Sequence, residues 1–446
     1  MHGTLCTLHG SSKIVPPACD FPIHTAMTYS ESVQFLYALG NEMKTAKFGL
    51  ERISALLEAL GNPHLAYRVI HVAGTNGKGS VCAMIDAGLR GAGIRSGLYT
   101  SPHLVAPTER IQIDGFAISE TEFTHAFEVV HHAALKLDFE AHPSYFETVT
   151  AMAFWQFRAQ GVQTAVVETG LGGRLDATNV VNPALTVITP IALDHQTWLG
   201  DTIQQIAAEK AGILKANVPA IISRQRSDAG QVVEDRAKTL GIRVTHTSDA
   251  QVSDLEIDAR GARFTVNGQQ IGLPLPGAHQ VENAITAVLA LAELGVPAAG
   301  IEEARWPGRL EYISPNPDVL LDGSHNPAGA QALAAYLRTH FPHRKIWMIF
   351  GAMRDKAVEQ IASILFPLAA ELIFTAPALD RAVPPSDLLA LAKRGRTAQN
   401  IQDALQVAAR EASDEDLILI TGSLYLVGEA RAASYNRNSW PFTGRY

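Results

Sequence analysis

The chain has 446 residues, 47% of them hydrophobic and 18% charged, with a formal net charge of −8. That length exceeds one ordinary core and predicts two or three domains, while the composition excludes a disordered or fibrous chain. The negative balance provides no overall field for nucleic acid or an anionic membrane, no apolar run approaches the roughly 20 residues of a bilayer span, and Cys6, Cys19 and Cys82 are too few for a disulfide framework. These features predict a cytoplasmic protein, expected to be a monomer, acting on small molecules without nucleic-acid or membrane partners.

Residues 1–26, with Pro16, Pro17 and Pro22 among scattered Ser, Thr and His, read as a loose extension that lacks the apolar centre of a secretory signal, and Met27 offers an alternative start. From about Ser30 to Leu60, apolar residues recur at three and four (Phe35, Leu36, Leu39, then Leu50, Ile53, Leu56, Leu57, Leu60), a helical pattern stopped by "GNP" at 61–63. Arg68 to Val72 suits a buried parallel strand, and Val81, Met84, Ile85 and Leu89 have helical spacing, so "GTNGKGS" (Gly74, Thr75, Asn76, Gly77, Lys78, Gly79, Ser80) joins strand to helix. The common phosphate-binding loop has two glycines five positions apart and Lys directly followed by Ser or Thr. This version is tighter, but the physics is the same: glycines admit an anion close to backbone N–H groups, the helix N-terminus favours negative charge, Lys78 supplies a point charge and Ser80 a hydroxyl for a metal ion. The bland alternative is a glycine-rich turn with a solvated lysine.

"TSPHL" (100–104) reads as a turn, followed by helical patterns around 120–136 and from about Phe146 to Gln160. The apolar run "TAVVE" ends at Glu168, "LTVITPIALDH" runs from Leu185 to His195, and a helix is expected from Thr202 to Lys210 or beyond. This alternation predicts a mostly parallel sheet covered on both faces. The segments within 241–275 are short, alternating and broken by Gly and Asp, like a small antiparallel insert or edge, and a long apolar helix follows from Gly277. "ARWPGRLE" (304–311) is the candidate linker. Beyond it "DVLLD" (318–322), "KIWMIFG" (345–351), "ELIFTAP" (371–377) and "DLILITG" (416–422) are strand candidates separated by helical patterns. The expected fold is therefore α/β: a phosphate-loop domain with a mostly parallel sheet over 27–303, and a smaller Rossmann-like α/β domain over 312–446.

Ligands of open parallel sheets gather at the carboxyl ends of strands, where Glu168 and Asp194-His195 lie besides the phosphate loop. A carboxylate there can hold Mg²⁺, although Glu168 could equally cap its loop. His195 alone reads as a packed histidine and Lys210 as a partly buried neighbour of Glu209. Arg309, Arg354 and Lys356 could meet nucleotide phosphates or be plain surface charge. No HExxH, paired CxxC or GxSxG motif is present, so zinc hydrolysis, dithiol chemistry and serine acyl transfer lack support, and a nucleoside triphosphate with Mg²⁺ is the leading reading. A small-molecule phosphotransferase is the alternative of another class.

Taken together, "GLERI" (49–53), "HVAGTNGKGS" (71–80), "YTSPHL" (99–104), "FETVT" (146–150), "ETGLGGRLDATN" (168–179), "LDHQTWLG" (193–200), "EKAGI" (209–213), "GAHQVENA" (277–284), "WPGRLE" (306–311), "DGSHNP" (322–327) and "GSLYLVGE" (422–429) resemble the folylpolyglutamate synthase and dihydrofolate synthase family, within the Mur-type ATP-dependent amide ligases. The resemblance runs from about Gly49 to Glu429 and covers the unusual phosphate loop. It implies that ATP phosphorylates a carboxylate of dihydropteroate or a reduced folate and that the amine of L-glutamate attacks the acyl phosphate. It further implies Lys78 on the phosphates, Ser80 and Glu168 on one Mg²⁺, His195 on a second, and a carbamylated Lys210 supporting the metals. Gln280 and Asn283 match the adenine side and Arg309 the phosphates. Asp322, His325 and Ser423 match positions serving nucleotide or glutamate, and Ser101, Pro102 and Phe146 match the folate side.

Overall fold

Strand β1 (Arg68–Ala73) is buried at every residue after the first, as a central Val/Ile-rich strand covered on both faces must be. In the computed structural model, which describes residues 27–40, 49–139, 141–314, 317–435 and 440–442, it is followed by β2 (Ser96–Tyr99), β3 (Ile111–Ile113), β4 (Phe116–Ala117), β5 (Thr164–Glu168), β6 (Leu185–Ile188), β7 (Ala220–Ile222) and β8 (Val244–His246). These eight form one sheet in the order β4-β3-β2-β5-β1-β6-β7-β8, parallel from β2 to β8, with β3 and β4 antiparallel at one edge. The expectations for residues 1–26 lie outside the described residues. Among the described residues, no helix is long and apolar enough to cross a membrane.

Side chains alternate across the sheet with the period of two that a strand imposes. Ile70, Val72 and Val166 enter a core shared with the helices Lys78–Gly91 and Ala278–Glu293, while Val69, Ala165 and Val167 enter one shared with the helices Glu51–Ala59, Glu120–Leu135 and Tyr145–Ala159. Two of those helices start with reciprocal caps, Ser119 with Glu122 and Ser144 with Glu147, which satisfy backbone N–H groups that the first turn leaves open.

Residues 241–275 divide. Strands β9 (Val252–Ile257), β10 (Ala262–Val266) and β11 (Gln269–Leu273) make the expected antiparallel insert, but Val244–His246 belongs to the main sheet, paired in parallel with β7. A three-residue edge strand carries too little periodicity to be assigned from sequence, and the same is true of β7. The short β3–β4 hairpin was likewise silent.

After the helix Ala278–Glu293 the chain builds a second sheet from β12 (Glu311–Ser314), β13 (Asp318–Asp322), β14 (Ile346–Phe350), β15 (Glu371–Phe374), β16 (Arg396–Thr397) and β17 (Leu417–Thr421), in the order β12-β13-β17-β14-β15-β16. All pairs are parallel except β12 with β13. The four strands expected from sequence are present, and β12 and β16 are additions at the two edges. Helices Pro327–His340 and Val358–Leu365 cover one face and Ile401–Glu411 the other.

Candidate active site

Register places the functional strand ends side by side. Val72 pairs with Glu168 across β1–β5 and Ala73 with Ile188 across β1–β6, so the phosphate loop, the Glu168 carboxyl and the segment leading to Asp194 leave the sheet together. In the second sheet Asp322 and Phe350 both pair with Thr421, which brings Asp322 next to Ser423. The two sets face each other across one cleft of about 660 Å³. Of the residues singled out from the sequence, Gly74 to Ser80, Ser101, Pro102, Phe146, Glu168, His195, Lys210, Gln280, Asn283, Arg309, Asp322, His325 and Ser423 line it, as does Lys356, whereas Arg354 does not.

The loop owes its shape to its glycines. Gly77 has φ +85° and no room beside the Asn283 amide, so a Cβ there meets both backbone strain and a buried side chain. A Cβ on Gly79 would strike the Trp306 ring. Lys78 lies at the first turn of its helix, with Nζ donating to the Thr75 carbonyl at 3.3 Å and standing 3.9 Å from Glu168 Oε1. Ser80 Oγ accepts from Gln280 Nε2 at 3.2 Å, and Asn283 Nδ2 donates to Gln280 Oε1 at 2.9 Å, so the long helix after Gly277 braces the loop.

Glu168 is buried. Burial leaves its pKa raised, although the Lys78 ammonium opposes the shift and Oε2 accepts from the Ser101 backbone N–H at 3.1 Å. Hard oxygen donors from one carboxylate and one hydroxyl fit Mg²⁺, which keeps waters and phosphate oxygens in its shell. Among the described residues no group of three His, Cys, Asp or Glu forms an all-protein metal cage.

Lys210 is 5% exposed and its Nζ donates to the Gly74 carbonyl at 2.7 Å. Burial first, then the neighbouring Lys78 charge, lowers its pKa to about 7. The amine is therefore neutral in a large fraction of molecules near pH 7, as CO₂ capture requires.

Asp194 is the densest node in the cleft. Lys356 Nζ, from the second sheet's side, donates to its Oδ1 at 2.6 Å, Asn326 Nδ2 donates to its Oδ2 at 3.2 Å, and His325 Nε2 stands 3.8 Å from the same oxygen. Burial alone would raise the Asp194 pKa, but His195, Lys356 and His325 together hold it below the usual carboxylate range. His195 takes φ +52° at the start of the short helix Gln196–Leu199, and its Nε2 is 3.4 Å from Lys356 Nζ. Burial lowers its pKa to about 3, so the ring is a neutral acceptor.

Arg309 is half-buried, with the Asp322 and Glu168 carboxylates as charged neighbours; loss of hydration lowers its pKa and the two carboxylates oppose that. Asp322 accepts from the backbone N–H of Leu310 and of Ser324, both at 3.0 Å, and so fixes the turn that carries Arg309. His325 Nδ1 donates to the Gly323 carbonyl at 2.8 Å and burial keeps it neutral, with a pKa of about 4, which leaves Nε2 open as an acceptor. Ser423 Oγ accepts from Tyr425 N–H at 3.2 Å. On the other side Phe146 lies 6.1 Å from Tyr99 between ring centroids and presents a flat apolar surface beside Ser101 and Pro102. Lys356 was only one of several possible phosphate cations in the sequence; Arg354 turns away, donating to the Ala382 carbonyl. Asn326 was missed, because an Asn before Pro signals a helix start and nothing more.

A nucleotide loop at the end of a parallel strand, closed over by a second α/β unit with its own basic and polar groups, defines an ATP-dependent ligase of the Mur type. The chain matches the Mur ligase middle domain over residues 72–291 and the Mur ligase glutamate ligase domain over residues 308–424. It is 35% identical over 406 residues to the dihydrofolate synthase/folylpolyglutamate synthase of Bacillus subtilis, covering 86% of this chain and 94% of that one. It is 36% identical over 426 residues, or 91% of this chain, to a probable bifunctional folylpolyglutamate synthase/dihydropteroate synthase of Halobacterium salinarum, of which it spans about half, 51%. The solved Escherichia coli FolC in complex with DHPP and ADP is 30% identical and superposes with a TM-score of 0.84, covering 93% of this chain and 99% of that chain. The chain belongs to the folylpolyglutamate synthase/dihydrofolate synthase family.

Proposed function

We propose that this protein joins L-glutamate to the carboxylate of dihydropteroate and to the γ-carboxylate of reduced folates, with ATP as the activating reagent. The observation that carries this reading is the shared cleft: phosphate-loop groups, an aromatic acceptor wall and second-domain groups open onto the same 660 Å³. The domains are 27–303 and 312–446, joined by the linker 304–311. The same reading takes the protein to act as a cytoplasmic monomer.

A free carboxylate resists amines because oxide is a poor leaving group. Transfer of the γ-phosphoryl group to the carboxylate makes an acyl phosphate; the glutamate nitrogen then attacks the acyl carbon, the C–O bond to phosphate breaks, and the amine loses a proton. Positioning and charge stabilisation carry such a reaction. Lys78 and Arg309, both lining the cleft, neutralise phosphate charge, and the loop N–H groups cradle it. Ser80 and Glu168 would hold Mg²⁺, which supplies charge neutralisation on the phosphates; His195 would serve a second ion once Lys356 moves aside. A carbamate on Lys210 would add an anion behind the loop. Gln280 and Asn283 shape the adenine side, Phe146 with Ser101 and Pro102 the heterocycle, and Asp322, His325 and Ser423 the approach of the amine, which His325 Nε2 can accept as a hydrogen-bond donor.

The test is product mass after incubating protein with ATP, Mg²⁺, L-glutamate and either dihydropteroate or tetrahydrofolate. A one-glutamate gain with both acceptors is expected, with repeated turnover of ATP to ADP only when glutamate is present. ADP formation and a phosphorylated product without glutamate would instead identify a phosphotransferase.

A further inference from the structure

We infer that Asn326 is a positioning residue that ties the seating of the second domain to the geometry of the phosphate loop, so that amide formation depends on its carboxamide while ATP binding does not. The inference rests on the ligase reading above.

Asn326 precedes Pro327 at the start of the helix Pro327–His340, and its Oδ1 accepts from Gly329 N–H at 2.8 Å, the ordinary work of a capping residue. The other end of the same amide crosses the cleft. Nδ2 donates to Asn76 Oδ1 at 2.9 Å, within the phosphate loop, and to Asp194 Oδ2 at 3.2 Å. The side chain is 3% exposed, so both ends are satisfied without bulk water. Its orientation is fixed by chemistry: turned over, the NH₂ group would face the Gly329 N–H and the carbonyl would face two oxygens.

The residue type is the telling feature. Asp, Ser or Thr would cap the helix as well as Asn does. None of them can also donate to two acceptors on the opposing domain. Capping therefore leaves the choice of Asn unexplained, and the cross-domain donation explains it. Lys356 meets the other oxygen of Asp194, so two donors from the second domain converge on one carboxylate of the first. Asn76, two positions before Lys78, is the loop residue that Asn326 holds directly. When the second domain swings away, Asn76 loses its partner; when it seats, the loop and the amine-delivering side are brought into register together.

The test uses Asn326→Ser and Asn326→Asp in the full chain. Both keep a capping acceptor; the first removes the crossing donor, and the second sets a carboxylate against Asp194. Expected are melting temperatures close to that of the wild type, an unchanged KM for ATP, and a kcat for amide product lowered about tenfold or more, more in Asn326→Asp. ADP should also exceed amide, because acyl phosphate left waiting is cleaved by water, which returns the acceptor carboxylate and releases phosphate. Wild-type kcat with one ADP per amide in Asn326→Ser would overturn the inference, as would an activity loss that merely follows a fall in melting temperature. Should the wild-type protein form no amide with either acceptor, the ligase reading fails separately, and small-angle scattering decides the inference. A larger radius of gyration in Asn326→Asp than in wild type supports it, and equal radii overturn it.

Discussion

Two buried bases show how burial sets chemistry at single positions. Lys210, held at a pKa of about 7, is poised between an ammonium that cannot capture CO₂ and an amine that can. Lys210→Ala should lose nearly all ligase activity, with partial recovery on adding small carboxylates such as acetate; full activity in the untreated variant would show that no carbamate is needed. His71 in β1 is a different case. Its ring is buried with Nε2 2.8 Å from Thr178 Oγ1, and burial, helped by Lys215, lowers its pKa to about 3. An unfolded histidine titrates near 6.5, so between about 6.5 and 3 the unfolded chain binds the extra proton and stability falls as pH falls. The limit is on the order of a few kcal/mol. Melting temperature against pH should drop less steeply below 6.5 in His71→Gln than in wild type, and parallel curves would assign the acid loss to other groups. The sequence indicated burial of the strand holding His71 and partial burial of Lys210, but not how completely each is desolvated or which charges stand beside it, since that depends on what other segments pack over them.

Among the elements, the phosphate loop was the most legible, because three glycines, a lysine and a serine between an apolar strand and an apolar helix leave few other uses. Its detailed shape came from elsewhere in the chain. Gly77→Ala combines φ +85° with a clash against Asn283, and should cost about 1–2 kcal/mol in stability together with much of the nucleotide affinity. Thermal melting and calorimetric titration with ADP check both; unchanged ADP affinity would mean the loop can reshape. Long central strands such as β5 and β17 were readable from continuous apolar runs, whereas β7, β8 and β16, of two or three residues, were not. Such strands are formed by a neighbour's hydrogen bonds, and their own sequence is too short to show a period.

At the scale of the whole molecule, contacts away from the cleft also join the antiparallel insert to the second domain. Arg260, in the turn between β9 and β10, stacks on Tyr312 with its guanidinium 3.5 Å from the ring centroid and pairs with Asp318 at 3.1 Å. Tyr336 OH donates to the Ala259 carbonyl at 2.8 Å in the same corner. Arg260→Ala should destabilise the protein by about 1 kcal/mol, since a partly exposed cation–π and ion-pair contact is worth no more. ADP affinity should stay at the wild-type value, because the contact lies outside the cleft lining; a large loss of affinity would show that this corner controls the nucleotide site. The antiparallel insert therefore serves as a support for the second domain, a role no feature of residues 241–275 suggested.

The amino-acid sequence by itself determined the α/β class, the order of most long elements, the phosphate loop and the strand-end position of Glu168, while most other cleft residues were reached only through the family resemblance. Local chemistry suffices for these, since periodicity, glycine placement and strand-end carboxylates act over a few neighbouring positions. Only the tertiary structure decided which of those groups are neutral, that Lys356 and Asn326 meet on Asp194, and that Asn76 is held from across the cleft. Those outcomes depend on desolvation and on distances between residues more than a hundred positions apart, and both arise only when the two domains meet across the cleft.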